Sequence, residues 1–378
     1  MTASAPAAVT TRRYAALDSL RGLAAAIVVL HHAALVLPGY TDFAEARWWL
    51  APFVAGPAAV YLFFVLSGFV LYHAFFAKDG HHVAAFAARR VLRLYPPVVV
   101  TVLVAAGAIV AIGPRTIPTL TPWFNDAWSP PLTPRYVLEH LTLWTHLLPM
   151  DSPLWSIVVE LRLSLLFPLL AFAIVRRPTL TVIGCLVVSM ICRHYARDLA
   201  PGAMASPLFD AQYLVLFASG AWLAARRDLV LPLAACRGSR ALALVVLVVA
   251  LGLATSSPFA FRGLATLAGA VVLVAAFAFN PFLARLLDRR PLHALGRISY
   301  SLYLIHVVVI LAVVHLLDGR VPASAAVAIG VAASVPIAMV MATWVERPSM
   351  LLSRKVGAIL ASRATARRHA ASAGPRRR

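Results

Sequence analysis

Acidic residues are scarce in this chain: 14 of 378 positions are Asp or Glu, and charged residues of all kinds make up only 13%. That shortage excludes an ordinary soluble domain, in which about a quarter of residues are charged. Cysteine is scarce too. Cys185, Cys192 and Cys236 show none of the paired spacing that a metal site requires, and the first two sit in or beside an apolar stretch, so they read as structural. No repeat unit recurs, which disfavours transporters built from internal duplications. No small-residue cleavage site follows Arg12-Arg13, so the first apolar segment reads as a retained span rather than an export signal.

What the chain has is apolar length. Hydrophobic residues make up 61% of it and the mean hydropathy is +0.84, the composition of an all-α, polytopic membrane helix bundle. Ten candidate spans are centred near Val28, Phe64, Leu103, Glu160, Cys185, Leu216, Val246, Ala270, Leu304 and Val331, each close to the roughly 20 residues needed to cross a bilayer. The net charge of +20 would point to nucleic acid in a soluble chain; here it follows the positive-inside rule. With both termini cytoplasmic, 25 of the 34 basic residues fall inside and seven outside, while Arg21 and Arg162 lie within spans. Short connections imply one transmembrane domain over residues 1–348, followed by a basic cytoplasmic tail over 349–378 that is expected to be disordered.

Two stretches depart from that pattern. His81 to Pro97, HHVAAFAARRVLRLYPP, reads as an amphipathic helix lying along the cytoplasmic surface. Gly113 to Pro153 is long and rich in Pro and Trp, the composition of an outer loop that covers or binds something.

The chemistry is expected where ionisable groups sit in hydrocarbon, because such groups are expensive there and default to function. Arg21 and His32 are eleven residues apart, close to three turns, so they share a helix face about 16 Å apart along the axis. The second span carries Ser67-Gly68, a pair that also suits close helix packing. The fourth carries Ser156, Glu160 and Arg162, and the ninth Ser299, Tyr300, Tyr303 and His306, residues equally suited to hydrogen bonding between helices. Measured inward from Pro38 and Pro153, His32 and Glu160 lie at a similar depth of about 9 to 11 Å, so a contact in which Glu160 orients the imidazole is expected. Arg162, two residues from Glu160, faces away from it. Arg89, Arg90 and Arg93 suit phosphates of a carrier such as coenzyme A, since arginine forks bind them bidentately. Adjacent histidines at 31–32 and 81–82 diverge by about 100° on a helix, so no metal is expected.

Taken together, these residues resemble the acyltransferase family 3 membrane proteins, which transfer acyl groups to hydroxyls on sugars, envelope polysaccharides, lipid-linked glycans and some antibiotics. LDSLRGLAAAIVVLHH resembles the family's arginine, ten residues and histidine, which selects His32 over His31; FFVLSGFVL, ARRVLRLYPP, LWSIVVE, LGRISYSLYLIH and WVERP follow in the family's order from Leu17 to Pro348. The resemblance implies His32 as base supported by Glu160 or Ser156, and Arg21, Arg90, Arg93 and Ser67 as groups that hold the donor. It implies acyl-CoA, acetyl-CoA first, as the donor; the abundance of Ala, Arg and Pro points to a bacterial source, so an inner-membrane location is expected. The expected partners are a glycan or sugar-containing acceptor, membrane lipid and a second copy of the chain, and not nucleic acid. Relatives often have Phe-Tyr after the glutamate where this chain has Leu163-Ser164, so a tyrosine role there does not carry over. The extracytoplasmic lipase-like domain of some relatives is not expected, given the chain's length. The alternative reading is a transporter or flippase of a polar or glycan substrate.

Overall fold

The computed structural model describes residues 15–39, 52–77, 82–143, 148–197, 207–234, 244, 247 and 262–372. Among these residues the regular structure is helical throughout. The long helices are α1 (Ala15–Val36), α2 (Gly56–Phe75) and α3 (Val83–Ile112). After the short α4 (Pro122–Ala127), α5 (Pro134–Thr142) and a 3-10 turn at Pro149–Asp151 come α6 (Leu154–Arg176) and α7 (Pro178–Arg197). Next are α8 (Pro207–Ala211), α9 (Leu214–Ala225), α10 (Arg227–Ala234), α11 (Arg262–Phe279) and α12 (Pro281–Leu286). The chain closes with α13 (Arg290–Leu317), α14 (Ala323–Met341), a π turn over Ala342–Glu346 and α15 (Arg347–Ser372).

Eight helical stretches are long and apolar enough to cross a membrane, and Gly263–Phe279 in α11 is a shorter apolar one. They account for nine of the ten expected spans. The tenth, around Val246, lies outside the described residues. The protein is a multi-pass helical bundle, as expected.

Local chemistry sets the helix ends. Proline opens α2, α4, α5, α12 and α13, where its missing N–H costs no hydrogen bond. Thr121, Thr133 and Asn280 cap α4, α5 and α12 with side-chain oxygens. The core is built from phenylalanines: Phe64, Phe69, Phe75, Phe167 and Phe217 are all essentially inaccessible. Where α2 crosses α9, a methyl on Gly68 would strike the Phe217 carbonyl and one on Gly220 the Val65 carbonyl, so Gly68 serves close helix approach.

Two expectations are corrected. His81–Pro97 does not form a separate surface helix; its residues from Val83 onward are the first half of α3, which runs on through Pro96 and Pro97. Arg90 on it is only 8% exposed. The reason is α15, which covers this half: Ser353 Oγ donates to the Arg89 carbonyl at 2.8 Å, and Gly357 lies against the Arg89 side chain. The same contact orders the described part of the tail expected to be disordered: residues through Ser372 are helical and those facing α3 are packed on it, while 373–378 lie outside the described residues.

Candidate active site

The site is organised by two parallel helices in register. Ser19 Oγ meets His293 Nδ1 at 3.1 Å, the Gly22 backbone closes on Gly296, and His32 Nδ1 meets His306 Nε2 at 3.0 Å. Each pair is separated by 274 positions, so α1 and α13 keep one register over more than three turns. Small residues permit this: a methyl on Gly22 would lie 2.6 Å from the Gly296 nitrogen. Arg21, one residue before that contact, donates from Nε to Ser299 Oγ at 3.2 Å and pairs with Asp18 at 2.9 Å. The α1 face carrying Arg21 and His32 is thus turned to the polar stripe of α13.

Around His32 the partners are short-range. Its Nδ1 lies 3.0 Å from the Val28 carbonyl as well as from His306. Its ring keeps some accessible surface and stands 5.5 Å, centroid to centroid, from Trp123 of α4. His31 turns elsewhere, with Nδ1 2.8 Å from the Val54 carbonyl. Ser156 and Tyr303 share a 2.6 Å hydrogen bond beside this pair, and the Tyr303 ring lies 6.1 Å from that of His306.

Glu160 does not reach His32. Its Oε1 accepts from Arg90 at 2.8 Å and from Ser67 at 3.2 Å, and the second acceptor for Arg90 is Ser164 at 3.1 Å. The expected contact fails on direction around the helix: Glu160 faces α2 and α3, while His32 is met by α13. Arg90 and Ser67 are therefore engaged with Glu160 rather than free to hold a ligand. Ser164, in the Leu163-Ser164 departure from the expected motif, supplies that second acceptor for Arg90. Arg162 faces away as expected and pairs with Asp210 at 3.0 Å.

Next to this pair lies a cavity of about 160 Å³ lined by Arg89, Arg90, Arg93 and Arg354 together with Phe86 and Met350. Arg93 is also within electrostatic reach of Arg21 and Glu346. Among the described residues Arg89, Arg93 and Arg354 have no carboxylate salt-bridge partner, so the cavity presents guanidinium groups of the kind that suit an anion. Arg354 comes from the helix expected to be disordered.

At the opposite end the described parts of the segment, 113–143 and 148–153, lie against the ends of α1 and α13. Thr121 donates through Oγ1 to the Leu35 carbonyl at 2.5 Å and through its backbone N–H to Val36 at 3.3 Å. Phe124 and Trp128 pack on the His315 ring. His140 accepts the Met150 N–H at Nε2 (3.3 Å), while its Nδ1 faces the Tyr136 carbonyl at 2.8 Å. Burial holds this imidazole below its usual range, in the neutral form such bonding requires. Asp151 is fully buried with neither carboxylate oxygen bonded to any described residue, and desolvation pushes its carboxyl well above the usual range.

Several of these groups were not legible as a site. The sequence flagged His306 as polar but offered helix packing as its role; its contact with His32 needs the register of α1 on α13. Glu346, bonded by Ser301 Oγ at 2.6 Å and 6% exposed, was visible only as an acid in WVERP. Asp151 gave no signal beyond its place before LWSIVVE.

No solved structure matches the chain. Over 169 residues it is 31% identical to the acyltransferase MdmB of Streptomyces mycarofaciens, an alignment that covers 42% of each protein, so the chain spans less than half the length of that curated relative. Residues 14–343 match the acyltransferase domain family. Because that range is most of the chain and holds the helices carrying Arg21, His32, Arg90, Glu160 and His306, the chain belongs to acyltransferase family 3.

Proposed function

We propose that this protein is a membrane O-acyltransferase that moves an acyl group, acetyl first, from cytoplasmic acyl-CoA to a hydroxyl of a sugar, envelope polysaccharide or glycosylated metabolite at a bacterial inner membrane. The observation that carries the reading is the presence, in one helical bundle, of a half-buried imidazole, His32, and of a cavity whose Arg89, Arg93 and Arg354 have no carboxylate salt-bridge partner among the described residues. A base and an anion site in one apolar bundle are what transfer from a phosphorylated carrier requires.

In this reading Arg93, with Arg89 and Arg354, holds the donor phosphates, and Arg21 lines the way between cavity and imidazole. His32 takes the proton of the acceptor hydroxyl as its oxygen bonds to the thioester carbonyl carbon. Collapse then breaks the carbon–sulfur bond, and the leaving thiolate takes that proton from the imidazole to become free CoA. Glu160 supports the reaction by fixing Arg90 at the edge of the cavity. Trp123 offers a ring face beside His32 on which a sugar can lie.

The test has two parts. Envelope glycans and secreted metabolites are compared by mass with and without the protein, and the expected result is loss of one acyl mass. Reconstituted protein with labelled acetyl-CoA should release the label to an acceptor, and His32→Ala should not. Solute movement without any use of acyl-CoA would favour the transporter reading and end this one.

A further inference from the structure

We infer that His306 is a positioning residue that fixes which nitrogen of His32 acts as the base: it holds the proton on Nδ1 and leaves Nε2 bare. The inference rests on the reading of His32 as the base and adds how that base is prepared.

The argument is one of donors and acceptors. His306 Nδ1 lies 3.1 Å from the Leu302 carbonyl. A carbonyl only accepts, so in an uncharged ring the His306 proton sits on Nδ1 and Nε2 is left as an acceptor. That Nε2 is 3.0 Å from His32 Nδ1, whose other neighbour, at 3.0 Å, is the Val28 carbonyl. His32 Nδ1 thus faces two acceptors and no donor, and it must carry its ring's proton. The lone pair of an uncharged His32 is then on Nε2, the nitrogen for which no hydrogen bond is formed among the described residues. His306 is fully buried, and it is held at the matching height by the Gly22–Gly296 register. Among the described residues no carboxylate bonds to His32, so an imidazole does the work that an acid does in many other base-orienting pairs.

Three variants of the full-length protein in lipid nanodiscs test this, with acetyl-CoA as donor, a methyl glycoside as acceptor and free thiol as readout. His306→Phe keeps the ring's volume and removes the acceptor; kcat should fall about 100-fold, the scale of a misassigned tautomer or lost general base, with the KM for acetyl-CoA unchanged. His306→Gln can return an acceptor oxygen toward His32 and should recover most of the lost rate. His32→Ala is the control: full activity there ends the base assignment itself, whereas an inactive His32→Ala beside a fully active His306→Phe ends only the positioning role. Equal losses in His306→Phe and His306→Gln would assign His306 to packing and overturn the proposal. Nitrogen-15 spectra of histidine-labelled protein, with His32→Ala to assign the signals, read the tautomer without any variant at position 306. His32 should show a protonated Nδ1 and a bare Nε2, and the reverse pattern would overturn the inference.

Discussion

The Arg90 guanidinium lies 2.8 Å from the Glu160 carboxylate, with side chains 10% and 19% exposed, so the two charges neutralise each other where water is largely excluded. Removing one partner strands the other, at about 3–5 kcal/mol. Glu160→Ala and Arg90→Ala should each lower the melting temperature of the detergent-solubilised protein substantially. The double variant Arg90→Met/Glu160→Leu should recover much of that loss yet remain poor in acyl transfer. Additive melting losses across this cycle would show that the pair is not coupled.

Gly296 faces the Asp18 carbonyl so closely that a methyl group cannot be added without moving a helix backbone. Overpacking of this kind costs about 1–3 kcal/mol. Gly296→Ala should also shift α13 along α1 and pull His306 away from His32, so transfer should fall further than stability alone accounts for. Thermal melts and initial rates on the same preparation measure both. Gly107, with open space around it, is the control: Gly107→Ala should leave the rate intact.

The arginine cavity makes a prediction about affinity rather than turnover. Arg93→Ala should raise the KM for acyl-CoA about tenfold, the size of a lost charge-assisted hydrogen bond. Arg354→Ala, at an exposed position, should raise it less. Both effects should shrink as ionic strength increases. A normal KM with a depressed kcat in Arg93→Ala would place that residue in the chemistry instead.

Asp151 makes the fold pH-dependent. Its carboxyl is raised in the folded protein, so from the pKa of a free carboxyl upward the folded state holds a proton that the unfolded state has released. Stability is therefore fullest in acid and declines as pH rises from about 4 toward the folded pKa. Asp151→Asn removes the titration. It should melt higher than the unmodified protein at pH 7, and the difference should narrow as the pH is lowered toward 4. A gap that stays constant with pH would contradict this assignment.

The helices were legible because lipid demands long apolar stretches, and each described span stands where hydropathy put it. The site was legible residue by residue but not in its pairing. Spacing along a helix gives height, and height made Glu160 and His32 neighbours; the angle around each axis, set by Gly22 on Gly296 and Gly68 against α9, sent them to different partners. The burial of Arg90 was hidden for a related reason. Its helix looks amphipathic and surface-bound until α15, a basic segment with little apolar signal of its own, is laid across it.

Thr121 ties the stretch that follows Gly113 to the last carbonyls of α1, four residues or fewer beyond His32. Free carbonyls at a helix end need a donor, and here the donor belongs to the covering segment. Parting these bonds would leave the Leu35 and Val36 carbonyls without that donor and free the final turn of the helix that bears the imidazole. The covering segment and the imidazole therefore share one anchorage, so Thr121→Val, which keeps the side-chain volume and removes the Oγ1 donor, should loosen both together.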